Sequence, residues 1–143
     1  MLPTGPGRFT ILGRGRSFRF ALTGLLFTFR TQHNMWLHVG VSFIVVAAGL
    51  FFHLTSGEWC SVTLAIVAVW VTEILNTAFE YLCDVVKPEF DLQVQKAKDI
   101  AAGAVLIVAL GATIVGMFIF IPHITARSTA TSSMTIAKEP RTK

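Results

Sequence analysis

Between residues 62 and 86 the chain is apolar enough to read as a membrane-spanning helix, yet it carries Glu73, Asn76 and Glu80 within that run. An ionised carboxylate near a bilayer centre costs roughly 2.5 to 3.5 kcal/mol on insertion scales, so a chain that keeps two of them, with an amide between, has a use for them. At about 100° per residue the three positions fall within about 60° of arc on one helix face, and Asp84 extends the stripe by another turn. The run therefore predicts a membrane helix whose polar chemistry lies along one line.

Composition agrees. Of 143 residues, 53% are hydrophobic and 14% charged, a balance that places the chain among membrane proteins and, by length, allows one domain. The formal net charge of +4 comes largely from Arg8, Arg14, Arg16, Arg19 and Arg30, all upstream of the first apolar run. These arginines are interleaved with Phe18, Phe20, Phe27 and Phe29, a pattern that suits an anionic lipid surface rather than nucleic acid. The first thirty-five residues never present a basic stretch, apolar core and cleavage site in that order, so the membrane segments are expected to be internal and retained. Cys60 and Cys83 stand about 34 Å apart along one predicted helix and cannot bridge each other within a chain.

The expected architecture is an all-α integral membrane protein with an N-terminal amphipathic surface helix and three transmembrane helices. Residues 1–13, rich in Gly and Pro, read as a flexible lead-in. Residues 14–31 alternate apolar and polar positions in helical fashion and are too polar to span, so they read as the surface helix. Spans are expected at about 36–54, 59–86 and 100–121, separated by a tight turn at 55–58 and a charged loop at 87–98. The second span should continue as helix past its apolar part to Asp84 and protrude into water. Ala102, Ala109 and Gly116 recur every seven residues on the third span, a small-residue stripe that permits close helix packing. Pro122 should close that span, and residues 123–143, dominated by Thr, Ser and Ala, read as a disordered tail.

The arm and the second loop hold eight positive charges, the first turn none and the tail four. The N terminus and the second loop are therefore expected on the cytoplasmic side of the cell membrane and the C terminus outside.

Interhelical hydrogen bonding is one use for the stripe on the second span. Two carboxylates seven residues apart near the inner interface suit cation binding better. Lys98 and Asp99 fall at the inner foot of the third span, at the depth of Glu80 and Asp84. Acids for a divalent metal, a lysine for phosphate and a deeper carboxylate are the groups that phosphoryl transfer needs. The soluble solution is absent: no strand leads into a Gly-rich loop ending in Lys-Ser or Lys-Thr. His33 and His38 are five apart, on different helix faces, and do not pair as zinc ligands. Trp36 and Trp59 read as interfacial belt residues.

On these residues the chain resembles the small prokaryotic diacylglycerol kinase and undecaprenol kinase family. The resemblance is carried by Glu73-Ile-Leu-Asn76-Thr-Ala-Phe-Glu80 with Asp84, by Lys96-Ala-Lys98-Asp99-Ile-Ala-Ala-Gly103, by Pro88-Glu89-Phe90, by Ser17-Phe18 with Ala21 and Gly24, and by Asn34 with His38. It covers roughly residues 14–122. The resemblance implies a homotrimer of three-span subunits that uses ATP and Mg2+ to phosphorylate the hydroxyl of a membrane lipid, undecaprenol or diacylglycerol. It implies Glu73 as proton acceptor, Asn76 as a further catalytic position, and Glu80 as magnesium ligand. It also implies ATP contacts at Gln32, Glu80, Glu89, Phe90, Asp91, Lys98 and Asp99, and lipid contacts at Ser17, Glu73 and Ala102. Gln32 stands where the family usually has a glutamate, and a neutral amide is the poorer metal ligand. The Asn34 to His38 segment and the Ala101-Ala-Gly103 pattern look nearer to the undecaprenol branch. Two other classes fit the membrane helices: a small transporter or channel subunit with conducting acids, and a non-catalytic assembly protein. The first predicts a polar face continuing outward, which residues 62–71 hardly supply. The second leaves Glu89, Lys98 and Asp99 without a shared purpose.

Overall fold

The computed structural model describes the backbone of residues 11–138 and the side chains of residues 15–128. Four helices follow in order: α1 (Ile11–Thr31), α2 (His33–Phe52), α3 (Ser56–Val86) and α4 (Leu92–Lys138). The expected lead-in falls mostly outside the described residues, and α1 starts at Ile11, before the expected Arg14. Three helices, α2, α3 and the part of α4 up to Ser128, are long and apolar enough to cross a membrane.

Helix α2, with 20 residues, matches about 30 Å of hydrocarbon. Helix α3 has 31 residues and rises about 46 Å, so one end must leave the membrane as its polar stripe predicts. Helix α4 packs most extensively against α3, while α1 lies against both α2 and α3. Few apolar side chains are buried: Met35, Leu54, Val62, Val69 and Ile119 form the interior, whereas Phe43, Ile107 and Phe118 face outward. Such outward apolar faces suit lipid rather than water.

A single extended residue, Gln32, separates α1 from α2, and its side chain makes no capping hydrogen bond. At the other end of α2, His53 adopts the left-handed conformation at φ 54°. Its N–H reaches the Leu50 carbonyl at 3.3 Å and that of Leu54 the Gly49 carbonyl at 3.1 Å, which ends the helix in a Schellman arrangement with Leu54 folded onto Gly49. The turn is tighter than the expected 55–58, because Thr55 already caps α3. Its N–H donates to Glu58 Oε2 at 2.7 Å and its hydroxyl accepts from the Glu58 N–H at 3.4 Å, a capping box.

Helix α4 departs from expectation at both ends. It begins at Leu92 rather than near residue 100, because Asp91 Oδ1 accepts from the Gln93 and Val94 N–H groups at 2.7 and 3.3 Å. It then passes through Pro122 and continues to Lys138, so the tail expected to be disordered is helical through Lys138. A proline inside a helix removes only its own hydrogen bond and crowds one carbonyl. Around it the chain is tied down locally: the Thr125 hydroxyl donates to the Ile121 carbonyl at 3.1 Å, His123 Nε2 meets Glu58 Oε1 at 2.9 Å, and the Arg127 guanidinium lies 4.4 Å from the Phe51 ring centre. The small-residue stripe also differs from expectation: a Cβ at Gly116 would meet nothing within 4 Å. Gly116 and Ala109 instead line an open groove of about 400 Å³ between α2, α3 and α4.

Two tests follow from these termini. A Cβ at Gly49 would come within 2.7 Å of Leu54 and 2.8 Å of Trp59, so Gly49→Ala should lower unfolding free energy in detergent by about 1 to 3 kcal/mol, whereas Gly57→Ala, with open space around it, should lower it far less. The Lys87 ammonium, followed by the Gln93 and Val94 N–H groups, holds the Asp91 carboxyl below its ordinary value of 3.8. A carboxyl depressed on folding stabilises fully above its unfolded value and loses that contribution as pH falls through the folded value. Protection of the Gln93 and Val94 amides, measured against the intrinsic exchange rate at each pH, should therefore persist at pH 3.8 and fall only at lower pH.

Candidate functional site

Along α3 the residues Val62, Val69, Glu73 and Thr77 are buried, and they share one helix face. Glu73 is thus turned toward its neighbours and not toward lipid, with 2% of its surface exposed. No described hydrogen bond or ion pair reaches its carboxylate. Thr77, which could have donated, gives its hydroxyl proton to the Glu73 backbone carbonyl at 2.9 Å. A buried acid without a donor or a cation is costly, and this one sits in the middle of the candidate site.

One turn further along α3, Asn76 Nδ2 donates to Glu80 Oε1 at 3.0 Å. The bond orients the Glu80 carboxylate and leaves Asn76 Oδ1 buried with no partner. A buried amide oxygen in that state is an acceptor awaiting a donor or a cation. At the next turn Asp84 forms an ion pair with Lys98 of α4, and Lys98 also lies within electrostatic reach of Glu80. The N-terminal stem of α4 therefore places an ammonium against the acidic stripe of α3. An ammonium has three donors, so the pair with Asp84 leaves donors for a further anion.

The remaining expected residues are more dispersed. Asp99 is exposed and accepts from Gln95 on its own helix at 2.8 Å. Asp91 is engaged with Lys87 and with the start of α4. Glu89 and Phe90 are exposed in the short connection between α3 and α4. Ser17 and Ala102 are exposed on α1 and α4, and Gln32 is half-buried at the α1–α2 break. No described hydrogen bond joins Gln32 or Ala102 to the α3 stripe.

Helix α1 contributes a feature that periodicity did not reveal. Between it and α3 runs a groove of about 460 Å³ lined by Thr23, Gly24, Phe27, Thr28, Thr77 and Tyr81 among others. Thr28 and Thr77 are buried there, and Phe27 stands edge-on to Tyr81 with ring centres 5.5 Å apart. Thr23 and Thr28 give their hydroxyl protons to the carbonyls of Arg19 and Gly24, so toward the groove they offer acceptor lone pairs. Of this lining, Phe27 and Gly24 were marked in the sequence, neither as part of a groove.

A magnesium ion usually keeps several waters and takes one or two carboxylates together with substrate phosphate oxygens. Among the described residues no group of three or more His, Cys, Asp and Glu side chains is gathered to hold a metal. Glu80, fixed by Asn76 and flanked by the orphaned Asn76 oxygen, fits the sparser kind of site.

Residues 19–120 match the profile of the prokaryotic diacylglycerol kinases. The chain is 34% identical over 109 residues to the undecaprenol kinase of Bacillus subtilis, a match covering 76% of this chain and 89% of that protein. It is 36% identical over 107 residues to a diacylglycerol kinase of Synechocystis, covering 74% of this chain and 61% of that protein. No solved structure gives a significant match. The stripe from Glu73 to Asp84 and the Lys98 that meets it lie inside the matched segment, and the chain belongs to the prokaryotic diacylglycerol kinase family.

Proposed function

We propose that this chain is a membrane lipid kinase that transfers the γ-phosphoryl group of ATP, with Mg2+, to the hydroxyl of a membrane lipid. The observation that carries the reading is Glu73, buried without a partner one turn from the Asn76–Glu80 pair. A carboxylate in such a place is suited to take a proton from an alcohol held against it. The lipid hydroxyl gives its proton to Glu73 as its oxygen bonds to the γ-phosphorus. The bond from that phosphorus to ADP breaks, and ADP and the lipid phosphate leave before Glu73 returns its proton to water.

Charge develops on the phosphate oxygens during the transfer, and Lys98 supports it while keeping its bond to Asp84. Glu80 would hold the metal, with the Gln32 amide as a weaker oxygen donor, and a bound magnesium ion would neutralise phosphate charge. Glu89, Phe90, Asp91 and Asp99 are assigned to the nucleotide, and Ser17 and Ala102 to the lipid. The lipid hydroxyl reaches the interface while its hydrocarbon stays in the bilayer, with α1 along the inner membrane surface and the C terminus outside. Homotrimer formation would cover part of the outward apolar faces and enclose both substrates. The groove between α2, α3 and α4 is mostly apolar, which argues against a continuous ion path.

Undecaprenol is the favoured substrate, on the Asn34 to His38 segment and the Ala101-Ala-Gly103 pattern. With both lipids in the same mixed micelles and MgATP present, phosphate should enter undecaprenol faster than diacylglycerol. Glu73→Gln should lower turnover at least 1,000-fold, on the order of 4 kcal/mol, with ATP binding retained. Glu80→Ala should weaken magnesium-dependent ATP binding, and Gln32→Glu should strengthen it. Equal loss of binding in the Glu73 and Glu80 variants would contradict the assigned division of roles.

A further inference from the structure

The seam between α2 and α3 carries a side-chain link beside Glu73 to which the kinase reading assigns no role. Trp70, one turn outward of Glu73 on α3, donates its indole N–H to Ser42 Oγ of α2 at 3.1 Å. Ser42 Oγ donates in turn to the His38 carbonyl at 2.7 Å. Its proton is therefore committed to its own helix, and a lone pair is left for the indole. Among the described residues this is the one side-chain hydrogen bond between α2 and α3. Phe29 of α1 stands edge-on to Trp70, with ring centres 5.9 Å apart, and also edge-on to Trp36 of α2 at 6.2 Å. Three helices thus meet around one indole, three residues from the buried carboxylate.

A tryptophan that merely anchored the helix in the headgroup region would turn its polar edge toward water. Trp70 turns that edge to a neighbouring helix. We infer that Trp70 is a positioning residue for the phosphoryl transfer: through Ser42 it fixes the rotation of α3, and so the direction of the Glu73 carboxylate. The inference rests on Glu73 as the proton acceptor. Rotating a helix by about 20° shifts a side-chain tip about 5 Å from its axis by about 1.7 Å. Misplacement on that scale is enough to slow a reaction by about 100-fold.

The test uses the full chain in lipid micelles and three variants. Trp70→Phe keeps a ring against Phe29 but loses the N–H, Ser42→Ala loses the acceptor, and Ser42→Thr keeps the hydroxyl. Trp70→Phe and Ser42→Ala should each lower kcat roughly tenfold, leave the KM for ATP within about twofold, and combine without a further fall, while Ser42→Thr stays close to the parent. A readout independent of turnover is the rate at which a membrane-permeant carbodiimide modifies Glu73, followed by mass spectrometry with Glu89, exposed in the connection outside α3, as internal reference. That ratio should change at least threefold in Trp70→Phe and Ser42→Ala and not in Ser42→Thr. An unchanged ratio in both of the first two variants overturns the inference, whatever the turnover. If the parent protein phosphorylates no lipid alcohol, the kinase reading fails, and the labelling ratio alone decides whether Trp70 orients Glu73.

Discussion

A carboxylate on the buried face of α3 that no described hydrogen bond or ion pair reaches is the constraint around which this molecule is arranged. Glu73 is enclosed by the face that α3 turns to its neighbours, and the polar groups nearest in sequence do not relieve it. Thr77 spends its proton on the α3 backbone, and Asn76 gives its amide to Glu80. An isolated buried acid raises the energy of the folded chain, so its neighbours must hold the site against collapse or flooding. Along α3, one turn before Glu73 and two turns after it, α1 supplies aromatic contacts, Phe29 against Trp70 and Phe27 against Tyr81.

The C-terminal end of α3 and the N-terminal end of α4 provide the opposite environment. Both helices outrun the hydrocarbon, and their extensions are joined by the pair between Asp84 and Lys98. Exposed ion pairs contribute only about 0 to 1 kcal/mol each, so this contact does little for the fold as a whole. Its consequence is placement. It sets an ammonium within electrostatic reach of the Glu80 carboxylate, two turns along α3 from Glu73. The stripe is therefore graded along one helix, from a buried carboxylate to an exposed ion pair.

Much of this grading was legible in the sequence because helical spacing alone puts Glu73, Asn76, Glu80 and Asp84 on one stripe, and three apolar runs mark three crossings. Helix ends were less legible. Hydropathy reports where the chain is apolar and not where its hydrogen bonding stops, so the start at Leu92 and the passage through Pro122 were both missed. Those ends depend on the Asp91 cap and on contacts such as Glu58 with His123, which connect residues far apart in the chain. The small-residue stripe meets no neighbour at Gly116 within one chain: a seven-residue period says that a close approach is possible and not which helix makes it. Trp70 and Ser42 escaped notice because each is unremarkable alone and the information lies in their pairing.

The central claim is that Glu73 accepts the proton of the lipid hydroxyl. Infrared difference spectroscopy of a single turnover, started by releasing caged ATP over protein loaded with lipid alcohol and magnesium, observes that proton directly. A protonated carboxyl band should rise with the phosphoryl transfer, decay as product leaves, and be missing from Glu73→Gln. Lipid phosphate formed by the parent protein with no such band, or with the same band in Glu73→Gln, would contradict the account.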